Sequence, residues 1–195
     1  MLVVDDGSTD DTGTIAARAG ALVLRHERNA GKGAALATGI ARALVEHAEA
    51  VLTLDADGQH PPDALPLMVA PLAPGAVDLV LGARARGGAM PLPRRLTNWL
   101  SATIASRIAG APIPDAQTGL RAFTRGLAAA VTTGIEGYTG YDYEAAFLLA
   151  ALRRGYGVRS LTIPTIYDGQ PSHFRSVVDG WRVARVFARY LLGAS

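Results

Sequence analysis

An α/β domain built on a largely parallel sheet is the architecture this sequence predicts, and three observations carry it. Short apolar runs at 2–4, 21–24, 50–54 and 77–81 alternate with helix-like segments over the first 82 residues, the pattern of repeated strand–helix units. Charged residues collect where those runs end: Asp5 and Asp6, Asp55 and Asp57, and Arg84. Sheets of this kind bind ligands at the carboxyl ends of their strands. The chain has 195 residues, 49% hydrophobic and 18% charged, which suits one domain with a sizeable core.

In chain order, Leu2–Val4 is a strand that stops at Asp5-Asp6-Gly7-Ser8. Thr9 or Asp10 caps a helix to about Ala19, with acids in its first turn and Gly20 at its stop. Ala21–Leu24 is a strand, Asn29–Gly33 a loop, and Ala34 to about His47 an Ala-rich helix. The strand Ala50–Leu54 ends at Asp55, and Pro61-Pro62-Asp63 opens a helix to about Ala73. Val77–Leu81 is the next strand, followed by a Gly-, Pro- and Arg-rich loop over 82–93. Further elements are a helix from Arg94 to about Ile108, a turn at Asp115–Gly119 leading into an extended Leu120–Phe123, and a helix from Tyr141 to about Arg153. A strand over Val158–Ile163, a polar loop over 165–174 and a last helix over 177–192 complete the chain. On that helix Val177, Trp181, Ala184, Ala188 and Leu191 share one face, beside a stripe of Arg182, Arg185 and Arg189. The pattern suits a helix at a membrane interface, and equally one packed on the sheet with a solvated Arg edge. The expected organisation is therefore a domain over 1–175 and an amphipathic basic helix over 176–195.

Composition removes several classes of function. With no cysteine, disulfides and thiolate metal sites are excluded. No apolar run is long enough to span a bilayer, and the first residues, Met1 to Asp6, lack the regions of a signal peptide. The expected location is the cytosol, at the membrane face. Charge is uneven: residues 1–63 carry 5 basic and 10 acidic groups, whereas 64–195 carry 14 basic and 7 acidic ones. A basic second part suits phosphates or anionic lipid. It lacks the basic runs with interleaved aromatics that favour single-stranded nucleic acid.

The acidic strand ends are the chemistry-bearing features. Asp55 and Asp57, two residues apart at a strand end, point to one face and suit a hard cation, Mg²⁺ or Mn²⁺, that can also take phosphate oxygens. Asp5 and Asp6 can accept hydrogen bonds from ribose hydroxyls or a base N–H. The Asn29-Ala30-Gly31-Lys32-Gly33 loop is not a P-loop, because His26 stands where the first glycine belongs and Gly33 follows Lys32. A glycine loop before a helix nevertheless offers N–H groups and a positive dipole end, with Lys32 as a candidate phosphate contact. Each motif also has a plain structural reading, as a turn, a helix cap or a salt bridge.

Taken in order, Val3-Val4-Asp5-Asp6-Gly7-Ser8-Thr9-Asp10, Asn29-Ala30-Gly31-Lys32-Gly33, Asp55-Ala56-Asp57-Gly58-Gln59-His60-Pro61-Pro62, Gly82-Ala83-Arg84 and Asp115-Ala116-Gln117-Thr118-Gly119-Leu120-Arg121-Ala122-Phe123 resemble glycosyltransferase family 2, in its polyprenyl-phosphate (dolichol-phosphate) mannosyltransferase-like branch. The resemblance covers nearly the whole chain. It implies a GT-A, Rossmann-like fold with a mixed, mostly parallel sheet flanked by helices. It also implies nucleoside contact at Asp5 or Asp6, and metal and donor-diphosphate binding at Asp55, Asp57 and Gln59. Phosphate contact is implied at Arg84, joined by Arg94 or Arg95, and an acceptor-side place for Asp115. Asp142 and Glu144 match an acidic helix start of the family less specifically.

One departure stands out. Family members begin with a strand ending in Pro-x-x-Asn-Glu and a helix, a unit that Met1 follows here. In the family that strand lies in the middle of the sheet, so the expectation is a truncated chain with two unpaired strand edges or two strands closed together. The implied reaction is transfer of a hexose, with inversion, from a nucleotide-diphosphate sugar of the GDP-mannose or UDP-glucose type to a polyprenyl phosphate. Asp57, Asp115 and Arg84 are then the catalytic candidates, and Asp5, Asp6, Lys32, Asp55, Arg84, Arg94 and Arg95 the donor-binding ones. The competing readings are a non-catalytic nucleotide-sugar-binding remnant and a sugar nucleotidyltransferase, whose N-terminal Gly-rich basic loop this chain lacks.

Overall fold

The computed structural model describes residues 1–84, 92–164 and 178–192; the side chains of 84 and 92–97 lie outside the description. The order is β1 (Leu2–Asp5), α1 (Thr12–Arg18), β2 (Leu22–Arg25), α2 (Lys32–Val45), β3 (Ala50–Thr53), α3 (Ala64–Val69) and β4 (Leu79–Arg84). It continues with α4 (Leu92–Ala109), β5 (Arg121–Thr124), α5 (Arg125–Thr132), α6 (Asp142–Arg153), β6 (Val158–Ile163) and α7 (Val178–Leu191). Most ends fall within a few residues of the sequence pattern. Helix α3 is the shortest relative to expectation. Its Pro61-Pro62 lead-in forms tight turns, with Ala64 N donating to Pro61 O and Leu65 N to Pro62 O, so the regular helix starts only at Ala64.

The strands form two sheets. β1 and β2 pair in parallel. The other sheet has the order β3-β5-β4-β6, with β5 antiparallel to both β3 and β4, and β6 parallel to β4. The second sheet is thus mixed. β3, β4 and β6 run one way and β5 alone is reversed, because it is entered from the Asp115–Gly119 turn rather than through a crossover helix. β1 and β3 each end a sheet and share no hydrogen bonds; α2 packs across both.

Period-two alternation sorts the core onto two faces. Leu79, Leu81 and Phe123 point to the side covered by α5, α6 and α7, where they meet Leu127, Val131, Phe147, Leu148, Val183 and Phe187. The rings of Phe123 and Phe147 lie 4.8 Å apart. Val80, Ala122, Leu120 and Ile163 point to the other side, against Ala64 and Met68 at α3. Helix α5 has no counterpart in the sequence reading. It follows β5 without a loop, since Thr124 both ends the strand and caps the helix, its Oγ1 accepting from Leu127 N.

On α7 the buried side is Val183, Val186 and Phe187, with Asp179. Of the apolar stripe read from the sequence, Trp181, Ala184, Ala188 and Leu191 are exposed, while Val177 lies outside the described residues. The helix therefore carries two apolar faces, one packed and one turned outward among Arg182, Arg185 and Arg189.

Candidate active site

Strand ends and turns bring three of the sequence motifs together at Asp55. The Lys32 ammonium lies 2.9 Å from either carboxylate oxygen of Asp55 and 3.2 Å from Glu144 Oε2, at the start of α6. It also lies 5.2 Å from the centre of the Tyr141 ring. On the opposite side, Gly119 backs directly onto the Asp55 carboxylate. A Cβ at that position would stand 2.6 Å from Asp55 Oδ2, so only glycine admits the acid there. The turn is fastened to the sheet by Thr118 Oγ1, which donates to Gly82 O at 2.6 Å, and by Thr53 Oγ1, which donates to Gly119 O at 3.3 Å.

Beneath the turn lies a buried arginine. Arg121 donates to the carbonyls of Thr118 at 2.9 Å, Glu144 at 2.6 Å and Ala116 at 3.1 Å, with 3% of its surface exposed. Burial pulls its pKa down, against the field of Glu144, Asp115 and Asp55. Because its donors are spent on main-chain oxygens, it shapes the turn and ties it to α6. The sequence signal was present, a charged residue inside the apolar run Leu120–Phe123, and the motif reading passed over it.

Electrostatics at Asp55 are dominated by the lysine. Burial disfavours the ammonium, but Glu144 and Asp55 outweigh that cost and hold the Lys32 pKa above its ordinary value. Burial pushes Glu144 up, with Lys32 and Arg121 opposing. Lys32 is therefore a cation matched by two carboxylates, and its charge is directed at Asp55 and Glu144.

The glycine loop before α2 is closed on itself. Asp6 accepts from Ala30 N at 2.9 Å and from Gly31 N at 2.8 Å, while Thr139 O accepts from Gly33 N at 2.8 Å and Ala34 N at 3.2 Å. Four N–H groups at the helix entrance thus have partners within the chain, which corrects the expectation of a loop open to phosphate. Asp6 also lies 2.6 Å from His26 Nδ1, whose Nε2 lies 3.0 Å from Thr38 Oγ1. Burial raises the Asp6 pKa and these hydrogen bonds lower it; the bonds prevail. Asp5 is buried and accepts from Ser8 N at 2.8 Å. Ser8, then Arg25, holds its carboxyl below the ordinary value. Gly7, at φ +75°, lets this turn pass close to the Arg28–Asn29 backbone, where a Cβ would stand 2.6 Å from main-chain atoms.

The remaining candidates are more dispersed. Asp57 is exposed, and its Oδ1 accepts from Gln59 N at 3.0 Å. Asp115 is buried, and its Oδ1 accepts from Gln117 N at 3.2 Å, an Asx-type turn. Asp142 accepts from Gly140 N at 2.9 Å. Arg84 ends β4, and Arg94 and Arg95 lie in the first turns of α4; their side chains fall outside the described residues. No group of three His, Asp or Glu poised for a metal occurs among the described residues. The donor set fits a Mg²⁺- or Mn²⁺-type ion nonetheless, because such ions keep several waters and need only one or two carboxylates beside phosphate oxygens. Asp57 supplies an exposed carboxylate for this, whereas both oxygens of Asp55 already face Lys32.

Comparisons with known proteins identify the family and the fold. Residues 1–132 match the model of glycosyl transferase family 2. An uncharacterized protein of Methanocaldococcus jannaschii is 34% identical over 188 residues, 94% of this chain and 77% of that protein. A dolichyl-phosphate hexose transferase of Haloferax volcanii is 33% identical over 165 residues, covering 84% of this chain and 68% of its own length. Among solved structures, glucosyl-3-phosphoglycerate synthase from Mycobacterium tuberculosis in complex with uridine diphosphate superposes with a TM-score of 0.76 at 22% identity, over 97% of this chain and 68% of the other. The same enzyme with Mn²⁺ and UDP-glucose gives 0.70 at 23% identity, over 99% of this chain and 67% of the other. With its GT-A-like fold and its ordered motifs, the chain belongs to glycosyltransferase family 2.

Proposed function

We propose that this glycosyltransferase moves a hexose from a nucleotide-diphosphate sugar to a polyprenyl phosphate, with inversion and with a divalent ion. The observation that carries the reading is the clamping of Asp55 between Lys32 and Gly119, which gathers the loop before α2, the end of β3 and the Asp115–Gly119 turn into one site. Relatives named dolichyl-phosphate hexose transferase and undecaprenyl-phosphate mannosyltransferase support the acceptor class, and a neighbour named with Mn²⁺ and UDP-glucose supports the donor class.

Asp57 is the residue assigned to the ion, with Gln59 beside it and Asp55 behind. When bound, a Mg²⁺ or Mn²⁺ ion would neutralise charge on the departing diphosphate. Arg84, with Arg94 or Arg95, is assigned to the diphosphate oxygens, where fixed cations stabilise developing charge. Lys32 fixes Asp55 instead of contacting phosphate. An acceptor phosphate oxygen attacks the anomeric carbon from the side opposite the diphosphate. The new C–O bond forms as the old one breaks, and the electron pair leaves with the diphosphate. The attacking oxygen is already anionic near neutral pH, so no strong base is required; Asp115, buried in its turn, positions the acceptor side. Asp5 and Asp6 order the nucleoside end through the turns they hold. The outward face of α7, with Trp181 and Leu191 each 61% exposed and Arg185 stacked 4.8 Å from the Trp181 ring, is assigned to the membrane carrying the acceptor.

Calorimetric titration with GDP-mannose and UDP-glucose, beside a sugar-transfer assay with polyprenyl phosphate, tests the reading. One donor should bind in the presence of Mn²⁺, and Asp57→Ala should remove that dependence and lower transfer at least a hundredfold. If Asp57→Ala keeps wild-type transfer, the metal assignment fails; if neither donor binds, the whole reading does. A second reading, binding without transfer, is favoured by the separation of β1–β2 from the four-stranded sheet. Donor binding with no turnover would select it.

A further inference from the structure

A cleft of about 510 Å³ opens at the C-terminal ends of α6 and α7, lined by Ile135, Tyr138, Arg153, Arg154, Arg189 and Tyr190 with the backbone of the 134–137 loop. We propose that this cleft binds a phosphate-bearing ligand, at a site distinct from Asp55 and independent of the reading above. Arg153 is nine residues along α6 from Glu144, about 14 Å at the helical rise.

The cleft is assembled by two helix ends. Arg153 donates to Tyr190 O and stacks on the Tyr190 ring, 4.6 Å from its centre, which ties the end of α7 to that of α6. That leaves two arginines for a ligand. Among the described residues the Arg154 guanidinium has one hydrogen bond, a long one to Ala150 O at 3.3 Å, and Arg189 is exposed without an ion pair. No carboxylate lines the cleft among the described residues. The nearest acid in sequence, Glu136, accepts from Gly134 N at 2.9 Å.

Charge decides the sign of the ligand. Two helix C-termini contribute roughly −1 together against three guanidinium groups, so the cleft remains cationic even with Glu136 counted. Guanidinium forks match phosphate bidentately, and the Tyr138 hydroxyl adds a potential donor, whereas the Tyr190 hydroxyl donates to Ala146 O at 3.4 Å. The volume lies within the small-molecule range and exceeds what a bare phosphate fills. Ile135 and the two tyrosine rings suit an organic portion. A soluble phosphoester and an anionic lipid headgroup share this chemistry. The exposed Leu191 and Leu192 at the end of the same helix bring the second source within reach.

The test uses the full chain, labelled with ¹⁵N and titrated with inorganic phosphate in EDTA, so that metal-dependent donor binding does not contribute. The amide signals of Gly137, Tyr138 and Arg154 should shift and saturate. Arg154→Gln/Arg189→Gln should weaken the response at least tenfold, while Asp57→Ala leaves it unchanged. The milder Arg154→Lys/Arg189→Lys pair keeps charge and fold and should weaken it about threefold through loss of the fork geometry. Shifts that grow linearly, that equal ionic strength of chloride reproduces, or that persist in the Gln pair overturn the proposal. Sedimentation with phosphatidylcholine vesicles containing phosphatidylglycerol identifies the source. Weaker pelleting of both the Gln pair and the charge-retaining Lys pair than of wild type supports a headgroup ligand; equal pelleting of wild type and both variants, with the wild-type phosphate response present, supports a soluble one.

Discussion

Lys32 and Asp55, 23 residues apart in sequence, form an ion pair with 2.9 Å between the ammonium and the carboxylate. With Glu144 it becomes a triad in which one cation serves two acids. Breaking such a group by removing one member strands the others.

Lys32→Met should therefore destabilise the fold by about 3 kcal/mol, the lower end of the range because Asp55 is about one-third exposed and partly solvated. Glu144, already raised by burial, would lose its main counter-charge and take up a proton. A group whose folded pKa is raised contributes stability that is present at low pH and lost as pH rises through that pKa. Denaturant midpoints should then show the variant closer to wild type at pH 5 than at pH 8, and Lys32→Met/Glu144→Gln should recover part of the loss. Equal penalties at both pH values would contradict the triad.

Gly119→Ala places a methyl group against the Asp55 carboxylate. The acid can swing aside, so the expected stability cost is only about 1 kcal/mol. Swinging aside breaks the Lys32 contact. Thermal unfolding should shift by a few degrees while sugar transfer falls at least tenfold, with kcat affected more than KM. An activity loss no larger than the stability loss would remove Asp55 from the site.

Arg121→Lys retains the charge and loses the fork that reaches three carbonyls. Two or more buried acceptors would be left unsatisfied, at roughly 2–4 kcal/mol. Hydrogen exchange should show the Ala116–Leu120 amides losing protection well beyond the global change. Uniform loss across the chain would make Arg121 an ordinary core residue.

The Asp6 carboxylate is stabilised by bonds from Ala30, His26 and Gly31, which lower its pKa in the fold. A depressed pKa contributes stability that is present above the unfolded value of about 4 and is lost as pH falls through the folded value. Unfolding free energies measured from pH 6 downward should fall below about pH 4. Asp6→Asn should start about 1–3 kcal/mol lower at pH 6 and show a flatter acid limb. An identical slope would place the acid sensitivity elsewhere.

Much of this molecule was legible in its sequence. Short apolar runs located β3 and β4, because a strand covered on both faces reads locally as a run of apolar residues. The order of acidic and glycine motifs identified the family. Helix α5 was missed because Thr124 joins strand to helix with no intervening turn residues. Partners were harder to read than elements. Asp5, Asp6 and Lys32 were recognisable as functional types, yet the sequence could not say that Asp6 would be occupied by the Ala30–Gly31 amides and His26, or that Lys32 would turn to Asp55 and Glu144.

By itself, then, the sequence determined the strand–helix alternation, the family and the acidic strand ends, all encoded over a few adjacent residues. Only the tertiary structure decided which acid stays exposed. Asp57 remains exposed while Asp55 is held, because charges separated by tens of residues pair only when the fold brings Lys32, Gly119 and Glu144 into contact with the same carboxylate. The same applies to the adjacent Arg153 and Arg154 and the distant Arg189, gathered into one cationic cleft where α6 and α7 end.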